Sequence, residues 1–102
     1  MPIYQTAHYQ VQPDAVEEIK HAIKDFVGYV AVNEPGSTLY AAWQQQDDPT
    51  RFVHLFIFAD ADAQHTHGNS DAVRRFESVY TPRLVGGPVV FTDYQLVASN
   101  VP

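Results

Sequence analysis

Residues 51–59, RFVHLFIFA, are apolar at almost every position. The run is too short for a buried helix, and Phe, Val and Ile favour extended chain. It reads as a strand. Both of its side-chain parities are apolar and only His54 interrupts them, so it reads as a central strand covered on both faces. Every other element has to be arranged around it.

The flanking segments supply those elements. Residues 3–11, IYQTAHYQV, mix β-branched and aromatic residues with polar ones and read as a first strand. Pro13 and Asp14 open a helix, with Asp14 as the cap and Glu17 as its capping-box partner. Val16, Ile19, Ile23, Phe26, Val27 and Val30 recur at helical spacing as one apolar stripe. The helix ends near Ala31 to Asn33, before the turn signal EPGS. Residues 38–45 form a second strand, and QDDPT a loop before the central one. Asp60 or Asp62 caps a short helical segment, and Asn69 or Ser70 caps the next, whose apolar face is Ala72, Val73, Phe76, Val79 and Tyr80. Pro82 ends that helix. GGP (86–88) breaks the chain, and residues 89–98 form the last strand.

The order β-α-β-β-α-β over a single domain, 1–102, predicts an α+β fold: a ferredoxin-like antiparallel sheet with its helices on one face. One helical layer leaves the opposite sheet face open. Its Tyr, Phe, Trp and Leu side chains would make a larger apolar patch than a monomer usually exposes. The pattern therefore predicts a homodimer joined sheet to sheet.

Charge narrows the partners. Twelve acidic residues against six basic give a net charge of −6, with no basic patch or helix. Neither a nucleic acid nor an anionic membrane surface is an expected partner. The chain has no cysteine, so disulfides, thiolate nucleophiles and cysteine metal sites are all absent. No signal pattern opens the sequence and no apolar run approaches a membrane span, so the expected location is cytoplasmic.

Three stretches carry a family resemblance: EPGSTLY (34–40), DDPTRFVHLFIFAD (47–60) and HGNSDAVRRF (67–76), the last with His67 and Ser70 in a His-x-x-Ser helix start. In this order they resemble the antibiotic biosynthesis monooxygenase domain, a family of small dimeric α/β barrels. The resemblance implies a cofactor-independent oxygenase of small quinol, phenolic or polyketide-like aromatic substrates, held in a pocket between sheet and helices. Such chemistry needs a substrate deprotonated, held and shielded, because an electron-rich phenolate itself reduces oxygen. The haem-degrading branch of the family uses an Asn, a Trp and a His where this chain has Ala7, Phe58 and Glu77, which argues against that activity. The reading from another class is a non-catalytic dimeric module that binds a small hydrophobic ligand.

The residues themselves leave several roles open. His65 and His67 stand two apart, which in a helix turns them nearly opposite ways, so a shared metal is disfavoured. His67 is a candidate proton acceptor, or else a structural hydrogen-bonding histidine, and His65 is expected in solvent. His54 is either a second pocket base facing the way of Phe52, Phe56 and Phe58, or a core histidine with a satisfied ring. Phe56 and Phe58 are wall candidates. Tyr40 and Trp43 are too, but their opposite parity in the second strand lets only one of them face the pocket. Arg74 and Arg75 read as surface cations pairing with Asp71 or Glu77.

Overall fold

A computed structural model describes residues 1–101. Strand β1 (Ile3–Val11) leads through a single 3-10 turn (Pro13–Ala15) into helix α1 (Val16–Asn33). Strands β2 (Ser37–Gln44) and β3 (Arg51–Phe58) form a hairpin. Helices α2 (Ala61–Gly68) and α3 (Asp71–Tyr80) follow, and β4 (Leu84–Tyr94) closes the sheet after a second 3-10 turn. The order across the sheet is β2-β3-β1-β4, and every pairing is antiparallel. This is the ferredoxin-like α+β arrangement that the element order predicts.

The helix faces are those of the sequence pattern. Ile19, Ile23, Phe26 and Val30 of α1 are buried, as are Ala72 and Phe76 of α3. They pack on the inward parity of the sheet: Tyr9 and Val11 of β1, Phe52 of β3 and the half-buried Tyr40 and Ala42 of β2. Burying side chains of this size stabilises the fold by about 1.5–3 kcal/mol each. A smaller cluster of Ala7, Phe56 and Phe58 lies at the other end of the sheet, against Ala63 of α2.

Three local expectations change. Asp14 does not cap α1. Pro13 starts a 3-10 turn that carries Asp14 into solvent, and Ala15 occupies the cap position with no side-chain bond. The caps of α2 and α3 are real, from Asp60 to the Ala63 N–H (2.8 Å) and from Ser70 to the Val73 N–H (3.2 Å). The last strand starts earlier than its sequence suggests and contains GGP. Val90 faces His8 while Val85 faces Gln10, so β4 bulges between them. Gly86 and Gly87, at φ 76° and 113°, absorb the bulge. An edge strand tolerates Pro88 there, since its N–H side need not pair.

The third change concerns β3. It is central, between β2 and β1, but within one chain only one of its faces is covered. Phe52, His54, Phe56 and Phe58 are buried, whereas Val53, Leu55 and Ile57 are half-buried on the open face. Leu39, Trp43, Val90 and Tyr94 share that face and are exposed, Trp43 at 60%. Among the described residues, no helix is long and apolar enough to cross a membrane.

Candidate functional site

A cavity of about 370 Å³ lies between the inner face of the sheet and the helices. Its floor comes from inward positions of three strands: Ala7 and Tyr9 of β1, Tyr40 of β2, and His54, Phe56 and Phe58 of β3. Phe26 and Phe76 roof it from α1 and α3, stacked on each other with ring centroids 4.9 Å apart. Exposed Gly68, Glu77 and Phe91 are at its rim. The volume falls within the usual range for small-molecule sites, and the walls are mainly aromatic.

Two polar constellations interrupt the aromatic lining. The first joins His67, near the end of α2, to Glu34, which follows α1. Nδ1 of His67 lies 2.7 Å from Glu34 Oε1. Both residues are buried, at 9% and 7% exposure. Three features hold the pair. The Glu34 N–H bonds the Val30 carbonyl as the helix C-cap. The Ser37 hydroxyl donates to Glu34 Oε1 at 3.3 Å. Gly36 lets the turn lie against α2, since a Cβ there would sit only 2.6 Å from the Ala63 Cβ. A carboxylate only accepts, so the pair places a proton on Nδ1, and in the neutral ring the lone pair is on Nε2. Among the described residues Nε2 makes no hydrogen bond, it is not sealed from solvent, and His67 lines the cavity. Glu34 Oε2 is the one sealed side-chain polar atom without a partner among the described residues. A half-satisfied buried carboxylate costs stability, so its place behind a histidine that lines the cavity points to function.

The second constellation is Tyr9–His54–Tyr40. The Tyr9 hydroxyl lies 2.7 Å from His54 Nε2, and the Tyr40 hydroxyl 3.2 Å from Nδ1. His54 is 2% exposed. Burial, with a smaller contribution from His67, pushes its pKa down to about 4, so the ring is neutral at pH 7. Burial raises both phenols well above the usual tyrosine range. The two constellations are adjacent: the Tyr40 ring centroid is 5.9 Å from that of His54 and 5.4 Å from that of His67.

The structure thus brings His67, His54, Tyr40, Phe56 and Phe58 together around one cavity. Trp43 does not join them. Its parity in β2 opposes that of Tyr40, and it stands on the open face of the sheet. His65 lies in solvent, half a helical turn from His67. Arg74 pairs with Asp71 at 3.1 Å, away from the cavity. Sequence reasoning missed Glu34 and the pairing of Tyr9 with His54. Glu34 sits in EPGS, where a turn carboxylate reads as solvated, and nothing local shows that α2 folds over it. Among the described residues no three His, Cys, Asp or Glu side chains converge as a metal site would require.

Comparison with known proteins agrees with this architecture. The family model for antibiotic biosynthesis monooxygenase matches residues 2–78. No curated protein matches the sequence. Among solved structures, a candidate antibiotic biosynthesis monooxygenase of Bacteroides thetaiotaomicron superposes with a TM-score of 0.89 at 16% identity, over 99% of this chain and 94% of its own. One from Caulobacter crescentus gives 0.86 at 25% identity, over 95% and 91%. One from Nitrosomonas europaea gives 0.85 at 20% identity, over 94% and 90%. The low-identity likenesses establish the fold, and the sequence match over residues 2–78 establishes the kinship. The chain belongs to the antibiotic biosynthesis monooxygenase family.

Proposed function

We propose that this protein is a cofactor-independent monooxygenase of small phenolic or quinol-type aromatics, working in the cytoplasm as a homodimer. The observation that carries the reading is the Glu34–His67 pair: the histidine lines an aromatic cavity, and its Nε2 is neither sealed nor hydrogen-bonded among the described residues. This is the geometry of a general base whose ring is oriented, and whose imidazolium is stabilised, by a carboxylate.

The cycle balances on phenol, oxygen and protein alone. Nε2 of His67 takes the phenolic proton, and Glu34 stabilises the imidazolium. The phenolate transfers one electron to O₂, and the two radicals combine at the ring carbon para to the oxygen. The imidazolium returns its proton to the peroxide. Cleavage of the O–O bond, with loss of the hydrogen on that carbon, releases water and leaves a quinone. Phenol and O₂ have become quinone and water. The aromatic roof of Phe26 and Phe76 supplies a dry surface for a flat guest.

The dimer reading rests on the open sheet face. Leu39, Trp43, Val53, Leu55, Ile57, Val90 and Tyr94 form one apolar surface there. A second copy, carrying the same face, would remove it from water. Sedimentation should give a dimer, and Trp43→Arg should shift it toward the monomer.

The activity test is oxygen uptake with a panel of quinols and phenols that includes 1-naphthol. We expect one O₂ consumed per 1-naphthol, 1,4-naphthoquinone as product, and loss of turnover in His67→Ala. A rise in melting temperature with these compounds, without oxygen uptake above the spontaneous rate, would leave only a binding module.

A further inference from the structure

We propose that Tyr40 donates its hydroxyl proton to an oxygen of the bound aromatic, oriented by a one-way hydrogen-bond relay from Tyr9 through His54. The proposal deepens the reading above and rests on its premise that the cavity holds an oxygen-bearing aromatic.

Proton counting carries the argument. The neutral His54 ring has one N–H and one lone pair, and each phenol has one O–H. The three groups therefore hold three donor protons but make only two contacts, at 2.7 and 3.2 Å. One proton is left over. It sits on whichever phenol accepts from the ring.

The two distances say which phenol that is. A separation of 2.7 Å is the common length for a donating hydroxyl, while 3.2 Å is the long end for a ring N–H reaching an oxygen. Tyr9 thus donates to Nε2, and Nδ1–H donates to the Tyr40 oxygen. The surplus O–H belongs to Tyr40. Its hydroxyl has no partner besides His54 among the described residues, and the residue lines the cavity. A guest then meets a lone pair at His67 Nε2 and a donor at Tyr40, the two rings 5.4 Å apart. Among the described residues no Lys or Arg lines the cavity, so neutral hydrogen bonding is what it offers an oxygen. Tyr40 is the contact, and His54 and Tyr9 are positioning residues.

The test measures binding without turnover. Calorimetric titration compares 1,4-naphthoquinone, whose oxygens only accept, with naphthalene, which has none. The absence of cysteine removes thiol addition to the quinone as a complication. We expect the quinone to bind about tenfold more tightly than naphthalene. Tyr40→Phe should bring the two within about twofold by weakening the quinone alone. His54→Leu should do the same, and His54→Gln, which can accept from Tyr9 and donate to Tyr40, should restore the difference. Long-range ¹⁵N–¹H correlation should show His54 protonated at Nδ1. A residue that merely supports the wall would change the affinity of both probes together. Equal affinity in the unmodified protein, no binding of either probe, a parallel loss of both in Tyr40→Phe, or an Nε2–H tautomer would each overturn the relay. Absent oxygen uptake with the quinone preference intact would defeat the oxygenase reading and leave the relay standing.

Discussion

Replacing Glu34 by Gln tests the base most directly, because it removes a charge and very little volume. The amide oxygen can still accept from His67 Nδ1 across the 2.7 Å contact, so the ring should keep its tautomer and aim. What is lost is charge assistance to the imidazolium that forms when the substrate gives up its proton. A hydrogen bond to a charged group contributes about 1.5–3 kcal/mol, against about 0.5–1.5 for a neutral one. The difference, about 1–1.5 kcal/mol, is close to a tenfold loss of rate. It should fall on kcat, since the interaction strengthens only as the proton moves. Folding should change little. Removing a half-satisfied buried carboxylate offsets the cost of an amide N–H₂ in the sealed pocket that Oε2 occupies. The assay is oxygen uptake with 1-naphthol as its concentration varies, with melting temperature measured in parallel. An unchanged kcat, or a rise in KM alone, would show that Glu34 only holds the His67 ring in place and would remove its charge from the mechanism.

Three further outcomes follow from the same structure. His67→Ala leaves the buried Glu34 carboxylate without its ring N–H donor and should cost about 1.5–3 kcal/mol in urea denaturation, while adding Glu34→Gln to it should recover part of the loss; strictly additive losses would mean the two residues do not act as a pair. Gly36→Ala drives a Cβ to 2.6 Å from the Ala63 Cβ, which should cost about 1–3 kcal/mol and lower turnover by displacing α2; Ala63→Gly should relieve it, and a native melting temperature for Gly36→Ala would refute the close approach. His54 takes up its proton near pH 6.5 when unfolded but only at about pH 4 when folded, so the unfolded chain binds more protons between those values and stability rises with pH across that window. Acidifying from pH 6.5 to 4 should therefore cost up to about 3 kcal/mol that His54→Gln does not lose, and matching pH–stability curves for the two proteins would rule out a buried neutral ring.

The sequence alone determined which residues turn inward. Period-two alternation in RFVHLFIF put Phe52, His54, Phe56 and Phe58 on one side of a strand, and the period near 3.6 in α1 and α3 chose the faces that cover them. The same logic separated Tyr40 from Trp43 and His65 from His67. Each of these is a statement about residues within one element, where spacing fixes direction. Tertiary structure decided everything that depends on two elements meeting. Glu34 is 33 positions from His67, and Tyr9 is 45 from His54, so no local pattern could pair them. Only the fold of α2 over the EPG turn, and the register of β1 against β3, brings them within hydrogen-bond reach. The reach of a GGP break was likewise decided by the sheet, since an edge strand can hold a bulge that a central one would not. Side-chain direction is a property of the chain next to itself, whereas the Glu34–His67 and Tyr9–His54–Tyr40 contacts are properties of chain segments that only packing makes neighbours.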